Sequence, residues 1–143
     1  MTDEYFMRQA MAEAEKAFAA DEIPIGAVVV FENRIIGRGY NQTERLRDVT
    51  AHAEMLALTA AANYLGNKYL ADCTLYVTIE PCVMCAGASY WAQVKAVVFG
   101  ADEPKVGFRR HGQLLHPRTK LRGDVLPDEC AALMRAFFNS KRK

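Results

Sequence analysis

Thr74-Leu75-Tyr76-Val77-Thr78-Ile79-Glu80-Pro81-Cys82-Val83-Met84-Cys85-Ala86-Gly87-Ala88 is the stretch on which the architecture turns. Thr74–Ile79 is rich in β-branched and aromatic residues and predicts a strand. Pro81–Ala92 predicts a helix, with proline near its first position, where a missing N–H costs nothing. The Val-rich segment Lys95–Gly100 supplies a second strand. Strand, helix, strand is the pattern of a crossover unit with parallel strands. At the strand-to-helix junction stand Cys82 and Cys85. Three residues apart on a helix, they share a face and can both reach one ion. A helix N-terminus also favours their thiolate forms.

Outward from this stretch the chain keeps to regular elements. Residues 3–20 predict an amphipathic helix with Thr2 as its N-cap. Phe6, Met7, Ala10, Met11, Ala14 and Phe18 form its apolar stripe, with Arg8, Glu13, Glu15 and Lys16 opposite. Ile25–Phe31 and Arg34–Tyr40 predict two strands of a hairpin turning at Glu32-Asn33. His52–Tyr64 is rich in Ala and Leu and predicts a helix that stops near Gly66. Residues 101–126 read as irregular and basic. Pro127–Ser140 predicts a last helix, its Asp128 and Glu129 placed in the first turn and Lys141-Arg142 at the end, which suits the helix dipole. A hairpin followed by βαβ units predicts an α/β fold, a mixed sheet with helices on its faces.

The 143 residues, 51% hydrophobic and 24% charged, fit one soluble globular domain spanning 1–143. No run of about 18 apolar residues exists, so no membrane span is expected. The N-terminus, with Thr2, Asp3 and Glu4, lacks a basic-then-apolar start, and the expected location is the cytoplasm. Four cysteines in a chain of this size and apolarity read as thiols in a reducing compartment. Cys73 and Cys130 read as small buried hydrophobes. Charge is unevenly spread. Residues 1–103 carry 8 Lys/Arg against 14 Asp/Glu, and residues 104–143 carry 10 against 3. Between Lys105 and Arg122 there are six basic residues and no acid. Such a third suits an anionic partner, although a solvated loop and tail would give the same count.

A third metal ligand stands upstream. His52-Ala53-Glu54 opens a predicted helix, so His52 with Cys82 and Cys85 offers one imidazole and two thiolates. That donor set suits zinc better than magnesium or calcium. Three protein ligands leave a position open, as catalytic zinc sites do. A fourth ligand from His111 or His116 would close the site and make it structural. Glu54, two residues from His52, lies on a different side of the helix and need not ligate the ion. Zinc brings the pKa of a water it binds near neutrality, and a carboxylate nearby can serve as general acid and base.

H-x-E followed by P-C-x-x-C is the signature of zinc-dependent nucleobase deaminases. The chain resembles the bacterial tRNA adenosine deaminases of the cytidine-deaminase-like superfamily. The resemblance is carried by Ile23–Val30, Thr50–Glu54, Thr74–Ala88, Val97–Ala101 and Asp128–Leu133. It implies a three-layer α/β/α sandwich around a mixed five-stranded sheet, one zinc per subunit held by His52, Cys82 and Cys85, Glu54 as catalytic acid and base, and a homodimer. It implies that Asn41, after the second strand, hydrogen-bonds the target base, since an amide offers both donor and acceptor. The implied activity is hydrolytic deamination of the wobble adenosine to inosine in a tRNA anticodon loop, where single-stranded bases are accessible. Phe137-Phe138 with Lys141 and Arg142 resembles the family's last helix near the RNA, with at least one of the two phenylalanines expected in the core. Where the family usually reads Gly-Ala-x-Asp-x-Lys-x-Gly, this chain has Gly100-Ala101-Asp102-Glu103-Pro104-Lys105-Val106-Gly107. The same zinc chemistry also serves deaminases of free bases or nucleosides such as guanine or cytosine. The basic last third favours RNA over these. Glu54 argues against a non-catalytic zinc-stabilised RNA-binding subunit.

Overall fold

The computed structural model describes residues 1–142. Five strands form one sheet in the order β2-β1-β3-β4-β5: β1 Gly26–Phe31, β2 Arg34–Tyr40, β3 Cys73–Ile79, β4 Ala96–Ala101 and β5 Lys120–Arg122. β1 runs antiparallel to β2 and β3, while β3, β4 and β5 are parallel. Glu32 and Asn33 turn the hairpin, both at positive φ (49° and 65°), the left-handed pair that a two-residue turn demands.

Helices cover both faces. α1 (Asp3–Ala19) and α5 (Pro127–Ser140) lie on one side, where Phe6, Met7, Val28, Val98 and Cys130 pack together. α3 (Ala53–Leu65) and α4 (Val83–Ala92) lie on the other, over Val29, Leu75, Val77, Val97 and Phe99. β1 therefore sends Ala27 and Val29 to one core and Val28 and Val30 to the other. Burial on both faces is why the central strands are near-continuous apolar runs with no polar alternation. α3 lies directly on β2: a Cβ on Gly37 or Gly39 would fall 2.4 Å from the Ala57 or Ala53 carbonyl oxygen. That close approach fixes the height of the helix that carries Glu54.

Most predicted elements are present within a residue or two. Thr2 caps α1 through a 3.1 Å bond from the Tyr5 N–H, and Gly66 ends α3 in the left-handed conformation. Cys73 and Cys130 are buried thiols, as expected. Four details differ. Helix α4 starts at Val83, not Pro81, because the Pro81 carbonyl accepts from Phe108 N–H (2.9 Å) and Cys82 O is the first to accept within the helix, from Ala86. Glu13, expected on the polar face of α1, is buried and paired with Lys16 (2.9 Å) and Arg38 (3.2 Å), since α1 lies close enough to the hairpin for β2 to reach it. The basic segment holds a 3-10 turn at Phe108–His111 and the short β5, whose three residues are exposed and pair through backbone alone. A short helix, α2 (Thr43–Leu46), follows β2, its first N–H groups held by the Glu22 carboxylate at 3.1 and 2.7 Å.

Candidate active site

His52 and Cys82 are the N-caps of α3 and α4, both in extended backbone, and Cys85 sits one turn into α4. N-caps are usually Ser, Thr, Asp or Asn, whose oxygens accept the free helical N–H groups. Neither His52 nor Cys82 makes such a bond. Each helix thus forgoes a cap worth about 1 kcal/mol and presents a metal-binding atom instead. The crossover brings the two helix starts together: both Cys82 Sγ and Cys85 Sγ are 3.6 Å from His52 Nδ1. The three donor atoms lie within 4.8 Å of one another. Two sulfurs converging with Nδ1 are the donors zinc prefers, and neither His111 nor His116 joins the cluster.

The three groups are also close enough to share protons. The Cys82 thiol is brought down to about 4, first by a hydrogen bond from Cys85 and, after burial that opposes it, by His52. Cys85, the proton donor of that pair and wholly buried, moves up. His52 is raised by its contact with Cys82. Glu54, 4% exposed in the first turn of α3, is pushed up to about 7, chiefly by burial. Glu54 does not belong to the three-atom ligand cluster, and its side chain lines the same cavity as His52 and Cys82.

That cavity has a volume of about 790 Å³. Asn41 lines it beyond the end of β2. Its Nδ2 donates to the Ile23 carbonyl at 3.4 Å, and its buried Oδ1 has no partner. All five residues singled out in the sequence therefore converge: His52, Cys82 and Cys85 as a candidate ligand set, Glu54 and Asn41 on the cavity wall. The mouth is another matter. Of the six basic residues between 105 and 122, Lys105 lines the cavity, while Arg109 binds Glu80 and Asp102, Arg110 caps the 104 and 105 carbonyls, Arg118 binds Gln93, Lys120 is exposed on β5 and Arg122 binds Asp3. Lys141 turns away to Asp21 and the Phe137 ring. Arg142 and Arg135 do line the mouth, together with Phe138, while Phe137 is the one in the core. Glu80 was not singled out by the sequence. A carboxylate between a buried strand and a ligand-bearing turn was the available signal.

A cluster of three nitrogen and sulfur donors, with a buried carboxylate outside the set, matches the parts of a metal-dependent hydrolase. Residues 1–101 match the cytidine and deoxycytidylate deaminase zinc-binding region, and the chain belongs to that family of zinc-dependent deaminases. A tRNA-specific adenosine deaminase of Streptococcus pyogenes is 41% identical over 97% of this chain and 91% of its own length. The chloroplastic tRNA(adenine(34)) deaminase of Arabidopsis thaliana is 42% identical over 95% of this chain, which spans only 12% of that longer protein. Among solved structures, a tRNA:A34 deaminase that performs A-to-I editing at the wobble position superposes with a TM-score of 0.84 at 38% identity, covering 90% of this chain and 98% of that one. A guanine deaminase from Bacillus subtilis superposes at 0.70 and 40% identity, over 79% of this chain and 71% of that one.

Proposed function

We propose that this protein, acting as one deaminase domain, converts the wobble adenosine of a tRNA anticodon to inosine. The observation that carries the reading is the cavity: a metal-binding floor, an unpartnered Asn41 Oδ1 on the wall, and a mouth lined by Lys105, Arg135, Phe138 and Arg142. A free purine needs the floor and wall alone. A cation-and-aromatic mouth suits a base that arrives attached to phosphates and neighbouring bases. A cavity of about 790 Å³ is also roomy enough for a nucleotide together with part of its neighbours.

His52, Cys82 and Cys85 would hold the zinc. When bound, zinc supplies the Lewis acidity that makes water a nucleophile near neutral pH. Asn41 accepts a hydrogen bond from the flipped base through Oδ1 and so fixes its orientation. Glu54 takes a proton from the attacking water and delivers it to the ring nitrogen beside the reacting carbon. It then passes the second proton to the departing amino group. The C–O bond forms as the ring nitrogen takes the first proton, the C–N bond then breaks as the amino group takes the second, and ammonia leaves with inosine left in the RNA. The low-dielectric setting that raises Glu54 toward neutrality matches it to this two-way proton traffic.

We infer further that the protein is a homodimer in the cytoplasm. α4 carries Val83, Tyr90 and Trp91 outward, Trp91 being 75% exposed, and a second copy would cover them. No helix among the described residues is long and apolar enough to cross a membrane. The test is an anticodon stem-loop with adenosine at the wobble position, beside a control loop whose only unpaired adenosine lies elsewhere. Inosine in the first and not the second is expected. Unaltered RNA in both would overturn the reading.

A further inference from the structure

Glu80 joins the end of β3 to the Pro81-Cys82 turn, and its carboxylate is buried with four donors around it. Oε1 accepts from the Glu103 N–H (3.1 Å) and Arg109 Nη2 (3.0 Å). Oε2 accepts from the Arg109 N–H (3.1 Å) and Arg109 Nε (3.0 Å). All four donors come from one segment, 103–109. The guanidinium also binds Asp102 at 2.8 Å and stacks on the Phe99 ring at 4.7 Å. Gly107 lies against the carboxylate so closely that a Cβ would fall 2.5 Å from its carboxyl carbon. Glu103, Pro104, Lys105 and Val106, between the clamped ends, form one wall of the cavity mouth.

Little else ties this wall to the rest of the fold: the bonds from Arg110 to the Pro104 and Lys105 carbonyls and from Gly107 N–H to the Glu103 carbonyl are internal to the segment. Within 102–106 the side chains are exposed or half-buried, and Val106 is 60% exposed. Phe108 is the buried apolar anchor that follows. Hydrophobic burial thus fixes the segment at 108, and the ion pair fixes it at 103 and 109. A fork of guanidinium donors on a carboxylate sets angle as well as distance, which a point charge would not.

We propose that the Glu80–Arg109–Asp102 cluster is a positioning device that holds residues 103–106 against the cavity mouth and thereby sets how tightly the enzyme engages the RNA around the target base. The role in RNA affinity rests on the wobble-adenosine reading, whereas the role in fixing the segment does not. The chemical step belongs to the floor, so the cluster governs KM more than kcat. Glu103-Pro104 lies inside the clamped span.

Arg109→Ala is the primary test, since Arg109 is 44% exposed and its loss spares the cores. Expected are a full complement of zinc, faster amide exchange across 103–107, and a KM for the stem-loop raised about tenfold, the scale of a lost charged hydrogen bond, with kcat largely kept. Arg109→Lys should fall between, and Asp102→Asn should show a smaller KM rise. Glu80→Gln should reproduce Arg109→Ala if it folds. Zinc loss, a fall in kcat at unchanged KM, or unaltered exchange across 103–107 would overturn the proposal. If wild-type enzyme leaves the stem-loop unaltered, the wobble reading fails, and amide exchange still judges the clamp.

Discussion

The floor and the mouth of the cavity are built by different physics. The floor consists of two helix starts placed by a sheet. Its atoms are fixed by backbone geometry, by the close approach of α3 to β2, and by a donor set with one suitable kind of ion. The mouth consists of a loop pinned by an ion pair and the last turns of α5. The floor gives up helix capping to present ligands, and the sheet carries that cost. The mouth has no such reserve: its geometry depends on side chains meeting across the chain, residue 80 with 109, and on Phe138 from α5 and Arg142 just beyond its end. Where regular elements place the atoms, chemistry is fixed. Where single contacts place them, substrate choice can drift. The similarity of this chain to both a tRNA:A34 deaminase and a guanine deaminase fits that division.

If the division holds, damage to the floor should abolish turnover and damage to the mouth should weaken binding. The largest effect is expected for Cys82→Ala or His52→Ala, which should lose zinc and all ammonia release together, read by elemental analysis and product assay. Next is Glu54→Ala, expected to keep one zinc per chain while kcat falls about 10²- to 10⁴-fold, the range for a positioned acid/base. Retained turnover would remove Glu54 from its role. At the mouth, Phe138→Ala should raise the KM for RNA about tenfold through lost base stacking, with kcat kept. Arg142→Ala should flatten the salt dependence of RNA binding by about one phosphate contact. A fall in kcat without a change in KM for either variant would erase the distinction.

The smallest effect lies away from the site and calibrates the rest. Asp3 accepts from Arg122 Nε and Nη2 and from the Tyr76 hydroxyl, and Arg122 holds its carboxyl below the usual 3.8. A depressed carboxylate stabilises the fold above its unfolded pKa and loses that contribution as pH falls through its folded one. Asp3→Asn should therefore lower Tm by a few degrees at pH 7, about 1 kcal/mol for a half-exposed pair, with the gap closing below about pH 4. A gap that persists unchanged at low pH would deny the ion pair its role. Turnover should be unaffected.

The same physics explains what the sequence disclosed. His52, Glu54, Cys82 and Cys85 were legible because each is tied to a local pattern, the start of a helix after an extended segment. Asn41's place at the cavity was expected from family resemblance alone, and its unpartnered Oδ1 adds a physical reason to test its role. The fifth strand was not readable from its own residues, because Lys120-Leu121-Arg122 has no buried residue and joins the sheet through backbone pairing. Nor was the fate of the basic segment. Composition counts charges, whereas the fold pairs Arg109 with Glu80 and Asp102 and Arg122 with Asp3, acids that lie outside the 105–122 window. Lys105 from that segment and Arg142 from the tail are left at the cavity, joined by Arg135, which charge clustering did not mark.

The most direct test places both substrates in one tube. Zinc-loaded enzyme is mixed with a wobble-adenosine stem-loop and free guanine at equal concentration, and inosine and xanthine are quantified together over time. Inosine accumulating at the wobble position while guanine persists is the predicted result. Xanthine accumulating while the RNA keeps its adenosine would contradict it.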